Sequence, residues 1–257
     1  MFKKLSLCLV ASLLLSQNTF ADTLLERINQ HGTITVGTEG TYAPFTYHNN
    51  KGELTGYDVE VTRAVAKKLG VKVDFKETQW DAMLAGLKAG RFDMVANQVA
   101  LTTKKRQATF DKSEPYNWSG ALLVARQNEN KINSVEDVKG RKAAQTLSSN
   151  YGELALKYKA EIVPVDGLAQ SLLLIKQHRA DVTFNDSLAL LDYLKKYPNS
   201  GFKIVWESPN KKGAGLILNK DQTEALNKIN AAILALKQDG TLKKLGEQFF
   251  GRDISVK

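Results

Sequence analysis

Hydrophobic positions along the chain follow two spacings, one typical of helices and one typical of strands. Over residues 57–69 they recur every three or four positions, which predicts an amphipathic helix, and Gly70 follows where glycine favours a helix end. Residues 33–37 and 71–75 are short and β-rich, which predicts a strand on either side of this helix. Strands that alternate with helices in this way predict an α/β fold whose sheets are mostly parallel.

The pattern continues to the end of the chain. Residues 81–88 predict a helix that ends near Gly90, and residues 92–96 predict another buried strand. Residues 226–249 carry an apolar stripe that is interrupted at Asp239-Gly240, which predicts two helices that pack on the fold.

One segment of the chain is repeated. Residues 87–97 recur as residues 175–185 with Lys, Arg, Asp and Asn in the same places, and in both copies a helix leads into an apolar strand that ends in Asn. Ligands of open α/β sheets bind beyond the carboxyl ends of strands, so Asn97-Gln98 and Asn185-Asp186 are expected at a binding crevice. The repeat predicts two lobes that face each other across a cleft, a chance likeness of two helix–strand units being the alternative.

The first 21 residues have the zones of a secretory signal: Lys3 and Lys4, an apolar run over residues 5–15, and small or polar residues up to Ala21. The apolar run is too short to span a bilayer. We therefore expect cleavage after Ala21 and a periplasmic protein without direct membrane insertion, a retained anchor being the alternative. The single cysteine, Cys8, lies in this leader, so the mature chain has no disulfide.

Composition and motifs exclude several classes of function. Lys and Arg number 36 against 27 Asp and Glu, a formal charge of +9, yet the basic residues are dispersed, which disfavours nucleic acid as a partner. His31, His48 and His178 lie far apart and show no metal-ligand spacing. No complete phosphate-binding or dinucleotide-binding glycine loop occurs. We expect a protein that works without a metal or cofactor.

Several motifs carry a resemblance to a known family. Residues 37–45 and 52–61, the latter with the run Gly56-Tyr57-Asp58-Val59-Glu60-Val61, resemble the periplasmic solute-binding proteins of polar amino-acid ABC importers, bacterial extracellular solute-binding protein family 3. Further matches are residues 93–99, Arg106 with residues 113–116, residues 138–142, Asn185-Asp186 and residues 239–242. The resemblance covers essentially the whole mature chain.

The resemblance implies the type II periplasmic-binding-protein fold, in which two α/β lobes are joined by two crossover strands. The crossings are expected near residues 118–125 and 202–207. Lobe 1 then comprises residues 22–119 and 208–257, and lobe 2 comprises residues 120–207.

The function implied is capture of one amino acid by hinge closure and its delivery to a membrane permease, by a monomer that catalyses no reaction. Residues 97–99 and 149–151 resemble the cystine-binding branch most, so L-cystine is the expected ligand. The alternative is a cyclohexadienyl or prephenate dehydratase, since a few relatives of this fold are such enzymes, and Glu39 could then be the general acid.

An amino acid presents a carboxylate, an ammonium and a side chain that the site must satisfy together. Arg106 is the expected carboxylate clamp because its planar guanidinium offers two parallel donors. Taken alone, its position beside Lys104 and Lys105 would indicate a solvated basic loop. The resemblance assigns Asp186 to the α-ammonium and Glu39 to the region of the ligand side chain.

Aromatic and polar side chains complete the expected site. Tyr42 and Trp80 are expected to enclose the ligand. Hydrogen bonds are expected from amide and hydroxyl groups of Asn97, Gln98, Thr102, Ser149 and Asn150. Ser149 also starts a predicted helix whose N-terminus favours an anion. The path from strand to Arg106 is one residue longer than is usual in the family, so Thr102 and Thr103 are alternatives.

Overall fold

The computed structural model describes residues 23–257, so the predicted leader and Cys8 lie outside the described residues. In chain order the strands are β1 (Thr33–Thr38), β2 (Thr41–Tyr42), β3 (Thr46–His48), β4 (Leu54–Thr55), β5 (Lys72–Glu77), β6 (Met94–Val95), β7 (Phe110–Lys112), β8 (Asn117–Ser119), β9 (Ala121–Arg126), β10 (Lys142–Gln145), β11 (Glu161–Pro164), β12 (Val182–Asp186), β13 (Phe202–Glu207), β14 (Lys212–Ala214) and β15 (Ile217–Asn219). The helices are α1 (Leu24–His31), α2 (Tyr57–Leu69), α3 (Trp80–Lys88), α4 (Lys104–Thr109), α5 (Asn150–Lys157), α6 (Leu168–Lys176), α7 (Ser187–Lys196), α8 (Thr223–Gln238) and α9 (Thr241–Phe250), with a 3₁₀ turn at Glu136–Val138.

Two five-stranded sheets with the same plan organise the chain. The first sheet has the order β5-β1-β6-β15-β7, in which β15 alone runs opposite to the other strands. The second has the order β11-β10-β12-β9-β13, in which β9 alone is reversed. The α/β prediction with mostly parallel strand directions is confirmed. We call each sheet with its covering helices a lobe.

The strand order creates a crevice at one end of each sheet. In the first sheet β1 is followed along the chain by β5 on one side and β6 on the other, and in the second sheet β10 is flanked in the same way by β11 and β12. Because the next two strands lie on opposite sides of the central strand, the connections diverge and leave space beyond its carboxyl end, where ligands of α/β sheets bind. Residues that follow β1, β6, β10 and β12 are therefore placed at that end.

The internal repeat has one structural role in both sheets. Oδ2 of Asp93 accepts a hydrogen bond from Thr35 N in β1 at 2.8 Å, and Oδ2 of Asp181 accepts one from Lys142 N in β10 at 2.9 Å. An arginine from an earlier segment pairs with each carboxylate. The repeated aspartate thus ties the turn between helix and strand to the first strand of its own sheet.

Local signals account for the helix boundaries. Gly70 ends α2 with a φ of 74°, and Gly240 separates α8 from α9 with a φ of 79°; both angles lie in the left-handed region that favours glycine. The hydroxyl of Ser149 caps α5 by accepting a hydrogen bond from Gly152 N at 3.0 Å. These helix predictions are confirmed.

The predicted crossings extend too far into the second lobe: residues 118–119 of the first lie in β8, but its remainder and the whole of the second, residues 202–207, do not lie between the lobes. Residues 121–126 and 202–207 form β9 and β13, which pair with each other inside the second sheet. Pairing there satisfies their backbone groups and buries residues such as Leu122 and Phe202. The chain instead passes between the lobes at β8 and β14, which form a separate antiparallel pair. Within residues 23–257, none of the helices is long and apolar enough to cross a membrane.

Candidate functional site

A cleft of about 410 Å³ lies where the carboxyl ends of the two sheets face each other. Its lining comes from both lobes and consists of Glu39, Tyr42, Trp80, Asn97, Gln98, Thr146, Ser149, Asn150, Tyr151, Gly167, Leu168 and Asn185. Most of the residues predicted to bind a ligand are therefore in one place. Apart from Tyr42, which lies in the short strand β2, the lining residues follow strands of the two sheets or lie at their ends.

Glu39 is fixed at the end of β1 by one neighbour. Asn97 Nδ2 donates to Glu39 Oε2 at 2.5 Å, and Glu39 N donates to Asn97 Oδ1 at 2.9 Å. Burial raises the pKa of Glu39 to about 7; the hydrogen bond from Asn97 opposes this rise and the charge of Asp81 adds to it. The charge of this carboxyl therefore depends on pH and on any cation placed beside it.

Arg106 lies in α4 and, unlike most of the predicted site residues, does not itself line the cleft. Its side chain is buried, and its Nη2 donates to Ser148 O of the second lobe. Nη1 has no hydrogen-bond partner in the part of the chain that the structure describes. Burial lowers the pKa of Arg106. A buried guanidinium donor without an acceptor is costly, so this position favours a bound acceptor group.

Trp80 connects Arg106 to the cleft. The guanidinium carbon of Arg106 lies 5.7 Å from the Trp80 ring centroid, within the range of a cation–π contact. Trp80 lines the cleft and is itself buried, and its Nε1 is also unpartnered among residues 23–257. These two neighbouring donors without acceptors are the strongest indication in this region that a polar group binds there.

Asp186 is enclosed at the end of β12 and does not line the cleft itself. Its Oδ1 caps α7 by accepting from Leu188 N at 2.8 Å. Its Oδ2 accepts from Ser119 Oγ at 2.5 Å, Tyr151 Oη at 2.9 Å and Gln98 Nε2 at 3.2 Å. Burial raises the pKa of Asp186, and these donors oppose that rise.

A second cavity adjoins the cleft and contains Thr102 and Asp186. Gln98, Asn150 and Tyr151 line both spaces and form the wall between them. The hydroxyl of the neighbouring Thr103 is engaged as the N-cap of α4. Of the two threonines, Thr102 is the one that faces a cavity.

Sequence reasoning missed several lining residues. Thr146 and Tyr151 follow β10 next to the predicted Ser149, and Gly167 and Leu168 follow β11. Their position after a strand of the second sheet could have predicted them, because the same position placed the residues of the repeat at the cleft. Asn185, which the repeat indicated, lines the cleft and accepts a hydrogen bond from Tyr42 Oη at 2.6 Å.

Residues 34–252 match the model of bacterial extracellular solute-binding proteins, family 3. The chain belongs to this family. The L-cystine-binding protein TcyA of Bacillus subtilis is 48% identical over 229 residues, which cover 89% of this chain and 85% of that protein. The unliganded, open L-cystine solute receptor of Neisseria gonorrhoeae is 70% identical, covers 92% of this chain and 100% of its own, and gives a TM-score of 0.62.

An ancestral arginine-binding protein bound to arginine is only 35% identical, yet its TM-score is 0.80 with 86% of this chain and 99% of that chain covered. In the present structure the two lobes are joined by hydrogen bonds across the cleft, among them the one from Tyr42 to Asn185. These relatives are named as binding proteins or receptors. The predicted family, two-lobed fold and non-enzymatic solute-binding class are confirmed.

Proposed function

We propose that this protein binds one polar amino acid, with L-cystine as the first candidate, between its lobes and delivers it to the permease of an ABC importer. The observation that carries this proposal is the buried, unpartnered Nη1 of Arg106 beside Trp80. A ligand carboxylate would satisfy that donor with a charge-assisted hydrogen bond. The names of the relatives above support L-cystine.

The placement of acidic groups also fits a ligand with two α-amino-acid groups, as L-cystine has. Glu39 lies in the cleft and Asp186 borders the adjoining cavity, so two separate carboxyl groups are available to two ammonium groups. Each carboxyl is held by neutral donors, mainly Asn97 and Ser119 respectively, and burial raises both pKa values. A bound ammonium would favour their ionised forms.

The remaining expectations belong to the same proposal. The leader is removed after Ala21 and the mature protein works in the periplasm as a monomer. Lobe 1 comprises residues 22–119 and 208–257, and lobe 2 comprises residues 120–207. The ten predicted residues form the ligand site: Glu39, Tyr42, Trp80, Asn97, Gln98, Thr102, Arg106, Ser149, Asn150 and Asp186. Closure is a population shift, because a ligand that contacts both lobes stabilises only the closed form.

Thermal unfolding of the mature protein against a panel of amino acids tests this function. A ligand at 100 times its dissociation constant adds about 2.7 kcal/mol to the free energy of unfolding. We expect L-cystine to raise the melting temperature more than other amino acids do. A protein that no amino acid stabilises would contradict the proposal.

The dehydratase alternative has one observation in its favour, which is the pKa of about 7 for Glu39. A carboxyl that titrates near neutral pH can act as a general acid. Prephenate is therefore included in the panel, and its conversion to an aromatic product is followed by absorbance. We expect no turnover; product formation that Glu39→Gln abolishes would move the protein into the enzyme class.

A further inference from the structure

Asp81 connects the two lobes outside the set of residues that line the cleft. It lies in the first turn of α3 and is exposed. Its Oδ1 accepts hydrogen bonds from Ser148 N at 2.8 Å and Ser148 Oγ at 2.7 Å, and its Oδ2 accepts one from Leu147 N at 3.1 Å. Both partners belong to the loop between β10 and α5, on the opposite lobe.

The first lobe also holds this loop through the carbonyl group of Ser148. Arg106 Nη2 donates to Ser148 O, so the two peptide groups of Ser148 are bound by a guanidinium and by the carboxylate of Asp81. Both contacts are charge-assisted, which makes them stronger than neutral hydrogen bonds. Because the consecutive N–H groups of Leu147 and Ser148 donate to the same carboxylate, they also fix the direction from which the loop approaches Asp81. Neither contact requires a ligand.

We propose that Asp81 is a positioning residue that latches the loop 147–148 when the lobes close and thereby sets how long a ligand is retained. The inference rests on the proposed function. Asp81 stabilises the closed form without lining the cleft, but its charge adds to the rise in the pKa of Glu39. Among ligands of the same net charge this effect is equal, so there Asp81 acts on the opening equilibrium and does not select the ligand. Apparent affinity follows the population of the binding-competent form, so loss of the latch weakens every such ligand by the same factor.

Binding kinetics of Asp81→Ala test the latch. We expect the dissociation constant for L-cystine to rise about tenfold through a faster dissociation rate, with the association rate unchanged. The same factor applies to any second amino acid of the same net charge that the wild-type protein binds. The control is Asp74→Ala, a half-exposed aspartate of β5 that forms an ion pair with Lys76 of its own strand, and it is expected to bind as wild type. Wild-type kinetics in Asp81→Ala, or a loss confined to one ligand, would overturn the latch.

A second experiment needs no ligand. The sequence has a single cysteine, in the leader, so the mature double variant Asp81→Cys/Ser148→Cys contains one possible disulfide. We expect this disulfide to form in a glutathione redox buffer, with the control pair Asp74→Cys/Ser148→Cys staying reduced. A pair at 81 and 148 that stays reduced would overturn the latch.

The two experiments separate the latch from the proposed function. If the disulfide forms and no amino acid binds the wild-type protein, the approach of positions 81 and 148 on closing stands and the proposed function fails. If L-cystine binds and neither kinetics nor cross-linking involves Asp81, the proposed function stands and the latch fails.

Discussion

The two lobes share a strand order, yet they bring different chemistry to the cleft. The first lobe contributes charged side chains, the carboxyl of Glu39 and the guanidinium of Arg106, each held by neighbours. The second lobe contributes Ser149, which caps the N-terminus of α5, and the side chain of Asn150. We infer that the first lobe supplies the guanidinium that binds the ligand carboxylate, that each lobe supplies one carboxyl, Glu39 or Asp186, for an ammonium, and that neutral donors at the N-terminus of α5 complete the enclosure on closing.

The repeated segment shows the same division at the level of single residues. Asp93 and Asp181 have equivalent partners at the start of β1 and β10. The asparagines at the other end of the repeat differ in their partners, because Asn97 binds Glu39 within its own lobe and Asn185 accepts from Tyr42 across the cleft. Structural positions of the repeat are symmetric, and positions at the cleft are not.

The largest expected effect comes from Arg106→Ala. Loss of the guanidinium leaves the ligand carboxylate without its clamp, and we expect binding of L-cystine to weaken by about 2 kcal/mol or more, roughly 30-fold. Arg106→Lys keeps a charge but not the planar donors and should recover only part of the loss. Titration calorimetry measures both, and an unchanged affinity in Arg106→Ala would remove Arg106 from the site.

The pH dependence of stability reports on Glu39. Its pKa is about 7 in the folded protein and 4.5 for the free group, so below pH 4.5 the carboxyl is protonated in both states and has no effect. As pH rises towards 7 the unfolded state loses the proton first, and the folded protein is destabilised by about 2 kcal/mol. Glu39→Gln removes this decline, so its stability relative to wild type should increase between pH 5 and pH 8. If denaturant unfolding gave a stability difference between Glu39→Gln and wild type that did not change with pH, the raised pKa of Glu39 would be contradicted.

The symmetric positions provide a matched pair of stability variants. Asp93→Ala and Asp181→Ala each leave a strand N–H without its acceptor, and we expect each to lower the free energy of unfolding by about 1.5 kcal/mol. Ligand affinity should stay close to wild type because neither residue lines the cleft. If only one of the two variants is destabilised in chemical denaturation, the repeat is not structurally symmetric.

The smallest effect is expected from Tyr42→Phe. The change removes one hydrogen bond across the cleft, to Asn185, and keeps the ring. We expect binding to weaken by about 0.5 to 1 kcal/mol, mainly through faster dissociation. Stopped-flow fluorescence would show this, and a change larger than that of Arg106→Ala would contradict the ranking of these two contacts.

Local parts of this account were predictable from the sequence, and contacts between the lobes were not. The helix α2 and its end at Gly70 follow from hydrophobic spacing and a glycine, which act over a few residues. The cleft position of Asn97 follows from its place after a strand. Asp81 and Ser148 meet only because two separately folded lobes close, and no local pattern encodes that approach. The second crossing was misplaced, and the first extended too far, for a related reason, since β9 and β13 are set by pairing between distant segments.

Small-angle X-ray scattering of the mature protein with and without L-cystine tests the central claim most directly. If one amino acid closes the two lobes, saturating L-cystine should reduce the radius of gyration of the wild-type protein, and Arg106→Ala should need a much higher concentration for the same change. An unchanged radius of gyration at a concentration that calorimetry shows to be saturating would contradict closure of the lobes around the ligand.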